Sequence, residues 1–401
     1  MTLTDSKPRS AALNPLAIID RIIADIELTP AQYKEAKTSY EAIAYVLSKP
    51  DSPIQFLNTE IFPQGSMRLG TTVRPIGNDH FDLDMVCWVG ASGKICTPEE
   101  VYEWVWNALG SDETYRHMRQ RKNRCIRLDY AESRKFHLDV TPAVPDWVQQ
   151  SRSLYVPDRE LKVWCPSHPI GFADDWFKKA AEKLPTFQAP FLANTRRHEV
   201  FASASIEPLE EFGGFEKKPL QRIVQLVKRD RDNYFQDDVE HRPTSILLTT
   251  ITTHAYLDTA RIPVGGLLNF VAGVLGKLPQ YIKVSGTQGS PVFAVLNPVH
   301  PSENFAEKWT GEHYIRFKRW HSKLVAWLQG LMESRGLGAD VMLNRLSTSF
   351  GNERVIRAAN ALGVDTHALH EVGRLRVAKD IGQVGAVGAL IPATTFFGNA
   401  S

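Results

Sequence analysis

Two apolar segments of this chain carry charge where charge is expensive, and they limit what it can fold into. FDLDMVCWVG, residues 81–90, has the aromatic, β-branched and alternating character of a strand. KFHLDVTPAVP, residues 135–145, reads as a second strand. The first holds Asp82 and Asp84, the second Asp139. On a strand, side chains at i and i+2 share a face, with Cα atoms roughly 6.5 Å apart. Asp82 and Asp84 are therefore expected on one face. An acid inside Phe136–Val140 is costly unless it is paired or metal-bound. Carboxylates so placed repel one another, and such a pair can share two divalent cations about 3.5–4 Å apart. An Asp-x-Asp alone is a weak signal, more often a solvated strand face or a turn, so its surroundings decide.

Those surroundings read as a lobe built around the strands. Thr29-Pro30 is a helix-start signal, and apolar positions from Tyr33 to Leu47 recur at spacings of three and four, predicting a helix over Pro30–Ser48. PEEVYEWVWNALG (98–110) predicts a helix ending at a glycine, and RCIRLDYAE (124–132) a further strand. Strand, helix and adjacent strands over 60–145 suggest a compact α/β lobe. The segment from Pro145 to about Pro169 reads as irregular. After Phe172 the pattern turns helical, with helices expected at 172–184, 217–237, 243–259, 263–275, 302–309, 313–334 and 353–362. Ile381–Ser401 carries no charge and is dotted with glycines, which reads as a flexible tail. The expected division is an arm and helix over 1–29, a core lobe over 30–170, a helical lobe over 171–375 and a tail over 376–401.

Composition excludes several classes. At 401 residues, 43% hydrophobic and 23% charged, the chain is not a disordered polymer. Lys and Arg number 47 against 45 Asp and Glu, a net charge of +2, so a small partner is expected and no long nucleic acid is required. The four cysteines form no C-x-x-C pair, which removes a zinc ribbon and a dithiol redox site. The N-terminus has no apolar leader and no run reaches the length of a membrane helix, so a cytoplasmic location off the membrane is expected. Arg116 to Arg127 holds six basic residues and no acid, and reads as a solvated surface run ahead of the alternative, a basic groove. His137 shares the strand face of Asp139, as a neighbour of the site or as a satisfied, partly buried histidine. His241, His254 and His313 read as structural.

Gly65-Ser66 lies 17 positions before Asp82, at what reads as a helix start. Backbone N–H groups there, with the Ser66 hydroxyl, could hold a triphosphate. GSMRLGT, then DLD on a strand, then a lone Asp on a later strand resembles the nucleotidyltransferase superfamily of DNA polymerase beta. More narrowly, the chain resembles the bacterial cyclic-oligonucleotide synthases called CD-NTases, relatives of cyclic GMP-AMP synthase and oligoadenylate synthase. Leu154–Asp158, Trp164…Pro169 and Trp176-Phe177 resemble that family's loop between lobes. Leu226-Val227-Lys228-Arg229 with Pro243–Ile246 resembles its phosphate-contacting helical pair, and Asn297-Pro298…Asn304 with Trp309 a segment near the cleft. The resemblance covers about residues 30–375.

The resemblance implies a two-lobed α+β fold, with a mixed-sheet nucleotidyltransferase lobe, a helical lobe and an active site between them. It implies two Mg²⁺ ions, with Mn²⁺ as a substitute. Asp82 and Asp84 would hold both ions; Asp139 would hold the catalytic one and help activate a ribose hydroxyl. Gly65 and Ser66 would hold the triphosphate, and Lys228 and Ser245 would contact phosphates. The substrates would be ATP and a second, unassigned nucleoside triphosphate. The product would be a cyclic di- or trinucleotide second messenger in anti-phage defence (CBASS). A companion protein resembling ubiquitin-transfer machinery would bind the C-terminal tail, with Phe396 and Phe397 as anchors. One position departs: Ile246 stands where several relatives carry an aromatic that stacks on a base. Two other readings remain. One is a nucleotidyltransferase making linear product or modifying RNA or a small acceptor. The other is an inactive nucleotide-binding protein, against which the three retained carboxylates speak.

Overall fold

The computed structural model describes residues 15–76, 80–130, 136–148, 152–185 and 217–371, apart from positions 263, 288, 335, 336 and 338, with three two-residue strands beyond. The first helix, α1 (Pro15–Asp25), is followed by α2 (Pro30–Ser48), β1 (Thr59–Pro63), α3 (Gly65–Leu69) and β2 (Phe81–Val89). Then come α4 (Pro98–Gly110), α5 (Glu113–Arg116), β3 (Arg119–Arg121), β4 (Ile126–Asp129) and β5 (Phe136–Pro145). The sheet runs β1-β2-β5-β4-β3, with β2 and β5 parallel and the other neighbours antiparallel. The far end of β5 pairs with β6 (Leu154–Asp158), which pairs with β7 (Val163–Ser167). The segment expected to be irregular therefore extends the sheet.

Period-two alternation gives this sheet two unlike faces. Leu83, Met85, Cys87 and Val89 of β2, Leu138 and Val140 of β5, and Ile126 and Leu128 of β4 are buried in one core with α2 and α4. Both helices start at capping boxes, Thr29 with Gln32 and Thr97 with Glu100, each followed by proline. The opposite face carries the polar residues of the same strands.

Beyond a π-helical stretch (Gly171–Phe177) and α6 (Lys178–Ala181), the second lobe is built from α7 (Pro219–Tyr234), α8 (Ser245–Ala260) and α9 (Leu267–Lys277). After β8 (Lys283–Thr287), β9 (Ser290–Ala294), β10 (Leu296–Asn297) and β11 (His300–Asn304) come α10 (Gly311–Glu333), α11 (Ala339–Phe350) and α12 (Asn352–Glu371). Its core centres on Phe235, Tyr256, Phe270, Phe317 and Trp320. Ile18, Ile19, Ile22 and Ile23 of α1 lie in that core, so the N-terminal helix packs with the helical lobe while α2 packs on the sheet.

The helix expected over 302–309 is absent; β10 and β11 form an antiparallel pair there. Asn side chains explain it. Asn304 Oδ1 accepts from the N–H of Val295 at 3.0 Å, its Nδ2 donates to Phe293 O at 3.0 Å, and Asn297 Oδ1 accepts from the N–H of Val299 at 3.1 Å. Such bonds offer the backbone partners that compete with helix. Within the stretch read as a flexible tail, Val384–Gly385 (β13) and Ala389–Leu390 (β14) both pair with Arg376–Val377 (β12). Phe396 and Phe397 lie outside the described residues. Among the described residues, no helix is long and apolar enough to cross a membrane.

Candidate active site

The register of two parallel strands assembles the acids. Asp84 of β2 stands opposite Asp139 of β5, and Asp82 opposite His137. All lie on the polar sheet face. Asp82 is at the exposed rim, Asp84 is deeper, and Asp139 is 7% exposed. Desolvation within the cleft, then the charge of Asp139, raises the Asp82 pKa above the ordinary carboxylate value. Desolvation, then the charges of Asp82 and Asp139, holds Asp84 well above it. This is the behaviour of carboxylates gathered without enough positive charge between them.

The positive charge that is present comes from β4, where Arg127 stands opposite Asp139. Arg127 Nε donates to Asp139 Oδ1 at 2.8 Å and Nη2 to Oδ2 at 2.7 Å. Nη2 also donates to Asp82 Oδ1 at 3.2 Å. The Asp139 carboxylate raises the already high pKa of the guanidinium, mainly through these bonds. Reading the whole Arg116–Arg127 run as solvated surface is therefore wrong for its last member. The signal was in the alternation of Ile126, Arg127, Leu128 and Asp129, which marks a half-buried strand with Arg127 on the polar face. Among the described residues, no group of three or more His, Cys, Asp or Glu is already arranged to enclose an ion.

Next to the acids is the turn into α3. The N–H of Gln64 donates to Asp84 O at 2.9 Å, which ties the turn to β2. Gly65 has φ +62°, and a Cβ there would fall 2.1 Å from Asp84 Oδ2. Both the left-handed backbone and the close approach require glycine. The Ser66 hydroxyl accepts from Thr72 Oγ1 at 3.1 Å. From the helical lobe, the buried Lys228 donates to Thr71 O at 3.0 Å. Desolvation, then the nearby charge of Arg231, pushes its amine down to about 7, while its own charge reaches Asp84. Ser245 opens α8, its Oγ accepting from Arg231 Nη1 at 3.3 Å. Arg231 and Arg242 both flank Asp232, and the charge of Arg242 acts on Asp82. Ile246 packs against the helical core.

His137 is a neighbour of the acids, with Nδ1 3.0 Å from Asp129 Oδ1 and Nε2 3.0 Å from His80 Nδ1. His254 packs between Trp176 and Tyr281, and His241 packs on His313 and pairs with Asp238, as structural histidines do. The sheet and the helical lobe thus bring together three carboxylates, a glycine-serine turn and a basic wall. An all-oxygen donor set with crowded negative charge, beside a turn with no side chain in the way, fits divalent cations.

Comparison with known proteins gives the family. Residues 17–180 match the Second Messenger Oligonucleotide or Dinucleotide Synthetase domain. A c-di-GMP synthase of Roseivirga ehrenbergii is 32% identical over 337 residues, covering 84% of this chain and 84% of that protein. The chain is a CD-NTase. It is a nucleotidyltransferase of the kind that makes cyclic oligonucleotides. Cyclic dinucleotide synthase CdnG of Bradyrhizobium diazoefficiens is 26% identical over 412 residues, 97% of this chain and 92% of the relative. Its structure in complex with GTP matches this CD-NTase with a TM-score of 0.61 at 22% identity, covering 87% of this chain and 99% of the other. The Vibrio cholerae DncV cyclic AMP-GMP synthase shares the fold, with a TM-score of 0.51 at 19% identity over 86% of this chain and 82% of that one.

Proposed function

We propose that this CD-NTase joins nucleoside triphosphates, GTP among them, into a cyclic dinucleotide, with Asp82, Asp84 and Asp139 as the residues that hold two Mg²⁺ ions. The observation that carries the reading is the register of β2 and β5, which sets Asp82, Asp84 and Asp139 on one cleft face beside Gly65-Ser66. The relative covering 84% of the chain is a c-di-GMP synthase, and CdnG was solved with GTP. Both move the substrate from the ATP expected on resemblance toward a guanosine nucleotide.

Bound there, the two ions would stabilise the attacking and leaving oxygens of an in-line displacement at the α-phosphorus. The chain's own residues supply the rest. Gly65 leaves room beside Asp84 for a triphosphate, with Ser66 at the same turn. From the helical lobe Arg231 and Arg242 would supply positive charge, Lys228 an amine donor and Ser245 a hydroxyl. Asp139 would take its place beside the ribose hydroxyl that gives up its proton. The two lobes confine a linear intermediate, so its free hydroxyl meets its own triphosphate without a second encounter.

The division into core lobe, helical lobe and tail belongs to this reading, as do a cytoplasmic role in anti-phage signalling and a companion protein on the tail. CdnC of E. coli MS115-1, which shares the fold at 14% identity and a TM-score of 0.54, was solved with a HORMA protein, which supports partner binding within this fold.

The test is incubation with GTP alone, then with all four ribonucleoside triphosphates and Mg²⁺, followed by phosphatase. A ring has only bridging diesters and survives. A phosphatase-resistant dinucleotide containing guanosine is expected. Phosphatase-sensitive ladders, or product only with an added RNA acceptor, would replace this reading with the linear one.

A further inference from the structure

The guanidinium of Arg127 occupies the oxygens that the proposed ions need. It takes both oxygens of Asp139 and one of Asp82. A guanidinium has five donors and no acceptor, so it cannot itself ligate a dication, and its two-point grip on Asp139 takes lone pairs that a chelating ion would use. At such separations two like charges in a cleft repel strongly. The β4 backbone cannot step aside, because Ile126 and Leu128 on either side of Arg127 are fully buried in the sheet core. The side chain can, since it is about a quarter exposed and opens onto the cleft.

We propose that Arg127 is an exchangeable counter-cation, which holds the metal-free carboxylates and must leave Asp139 and Asp82 when divalent ions bind. The proposal rests on the assignment of the three acids as metal ligands. Its consequence is that the metal alone is bound weakly. A triphosphate arriving with the metal offers the displaced guanidinium a new anion, whose geometry its planar fork matches. Metal and nucleotide then strengthen each other's binding. Until then the guanidinium offsets the negative charge of the acids and lowers the cost of crowding them on one sheet face.

Mn²⁺ binding without nucleotide, followed by electron paramagnetic resonance of the free ion, tests this directly. Arg127→Met is expected to bind Mn²⁺ about tenfold tighter than the unaltered protein. Arg116→Met, which removes an exposed positive charge from the same lobe, is expected to leave the affinity unchanged. Melting curves supply a second readout: metal-free Arg127→Met should melt lower, and added Mn²⁺ should raise its melting temperature by more than it raises that of the unaltered protein. Equal Mn²⁺ affinities in a folded Arg127→Met overturn the proposal and leave the metal assignment standing. No Mn²⁺ binding by either protein overturns the assignment of the acids itself. Should Arg127→Met fail to fold, Arg127→Lys keeps the charge without the two-point grip and should still bind Mn²⁺ more tightly. A crystal structure of the unaltered protein with Mn²⁺ bound and Arg127 still on both Asp139 oxygens overturns the proposal whatever the variants do.

Discussion

Asp84 and Asp139 answer the same change differently, because their surroundings differ. Asp84 is crowded by acids and desolvated, so its charge costs stability. Asp139 is gripped twice by Arg127. Both Asp→Asn changes should lower synthesis by about a thousandfold or more, since each removes a metal ligand. Melted without metal at pH 7.5, Asp84→Asn should be more stable than the unaltered protein, and Asp139→Asn less stable. The sign for Asp84 follows from its raised folded pKa. The folded state binds the extra proton above the unfolded value of 3.8, so stability falls as pH rises through that window and the Asn variant escapes the fall. Lys228 runs the other way. Its amine is held at about 7 against 10.5 unfolded, so the unfolded chain binds more protons between those values and stability should rise with pH there. Thermal melts across pH 7–10 should show that rise in the unaltered protein and lose most of it in Lys228→Met.

At the scale of elements, α7 organises the turn beside the acids. Gln221 donates to Leu69 O at 2.9 Å, Lys228 to Thr71 O at 3.0 Å and Gln225 to Thr72 O at 2.9 Å. Lys217 and Arg229 add bonds to Gly70 O and Arg74 O. Residues 221, 225 and 228 share one helix face, and that face grips the strap that follows Gly65-Ser66. Gln225→Leu should leave a buried carbonyl unpaired at about 1–3 kcal/mol. Steady-state kinetics should show KM for the triphosphate raised several-fold with kcat changed less. An unchanged KM would mean that the strap does not position the turn. The helices α2 and α4 were legible in the sequence to the residue because Thr29-Pro30 with the apolar spacing behind it, and the segment 98–110 with its closing glycine, are local signals. The acids of the site were legible too, as charges inside apolar strands. The strap and its partners were not, because the bond from Gln225 to Thr72 spans 153 positions and leaves no periodic trace. Arg127 was missed because a charged residue opposite Asp139 looks, in one dimension, like the end of a basic surface run. β10 and β11 were missed because Asn297 and Asn304 act through side-chain bonds rather than through pattern.

The whole molecule is closed by its own early residues. α1 lies in the core of the helical lobe, and α2, four residues later, lies on the sheet. The link between them is fastened to the strap: the N–H of Arg74 donates to Ile26 O at 2.6 Å, and its Nε to Glu27 O at 3.0 Å. At the far end of the chain, Arg354 and Arg357 donate to Asp25 Oδ2 at 3.1 and 3.3 Å. The joint between lobes thus needs residues from the start, the middle and the end of the chain at once. Deleting residues 1–28 should therefore damage the helical lobe first. It removes Ile18, Ile19, Ile22 and Ile23 from that core, roughly 6–12 kcal/mol at about 1.5–3 kcal/mol for each buried aliphatic side chain, a large part of the 5–15 kcal/mol that typically separates folded from unfolded. Calorimetry of the truncated chain should lose the helical-lobe transition, and Ile22→Ala alone should lower the stability by about 2–5 kcal/mol. Asp25→Asn, which removes only the partly exposed ion pairs with Arg354 and Arg357, should change it by about 1 kcal/mol or less. If the truncated chain melts as the full one does, α1 is an ornament on the lobe rather than part of its core, and the joint must be held by α7 and the strap alone.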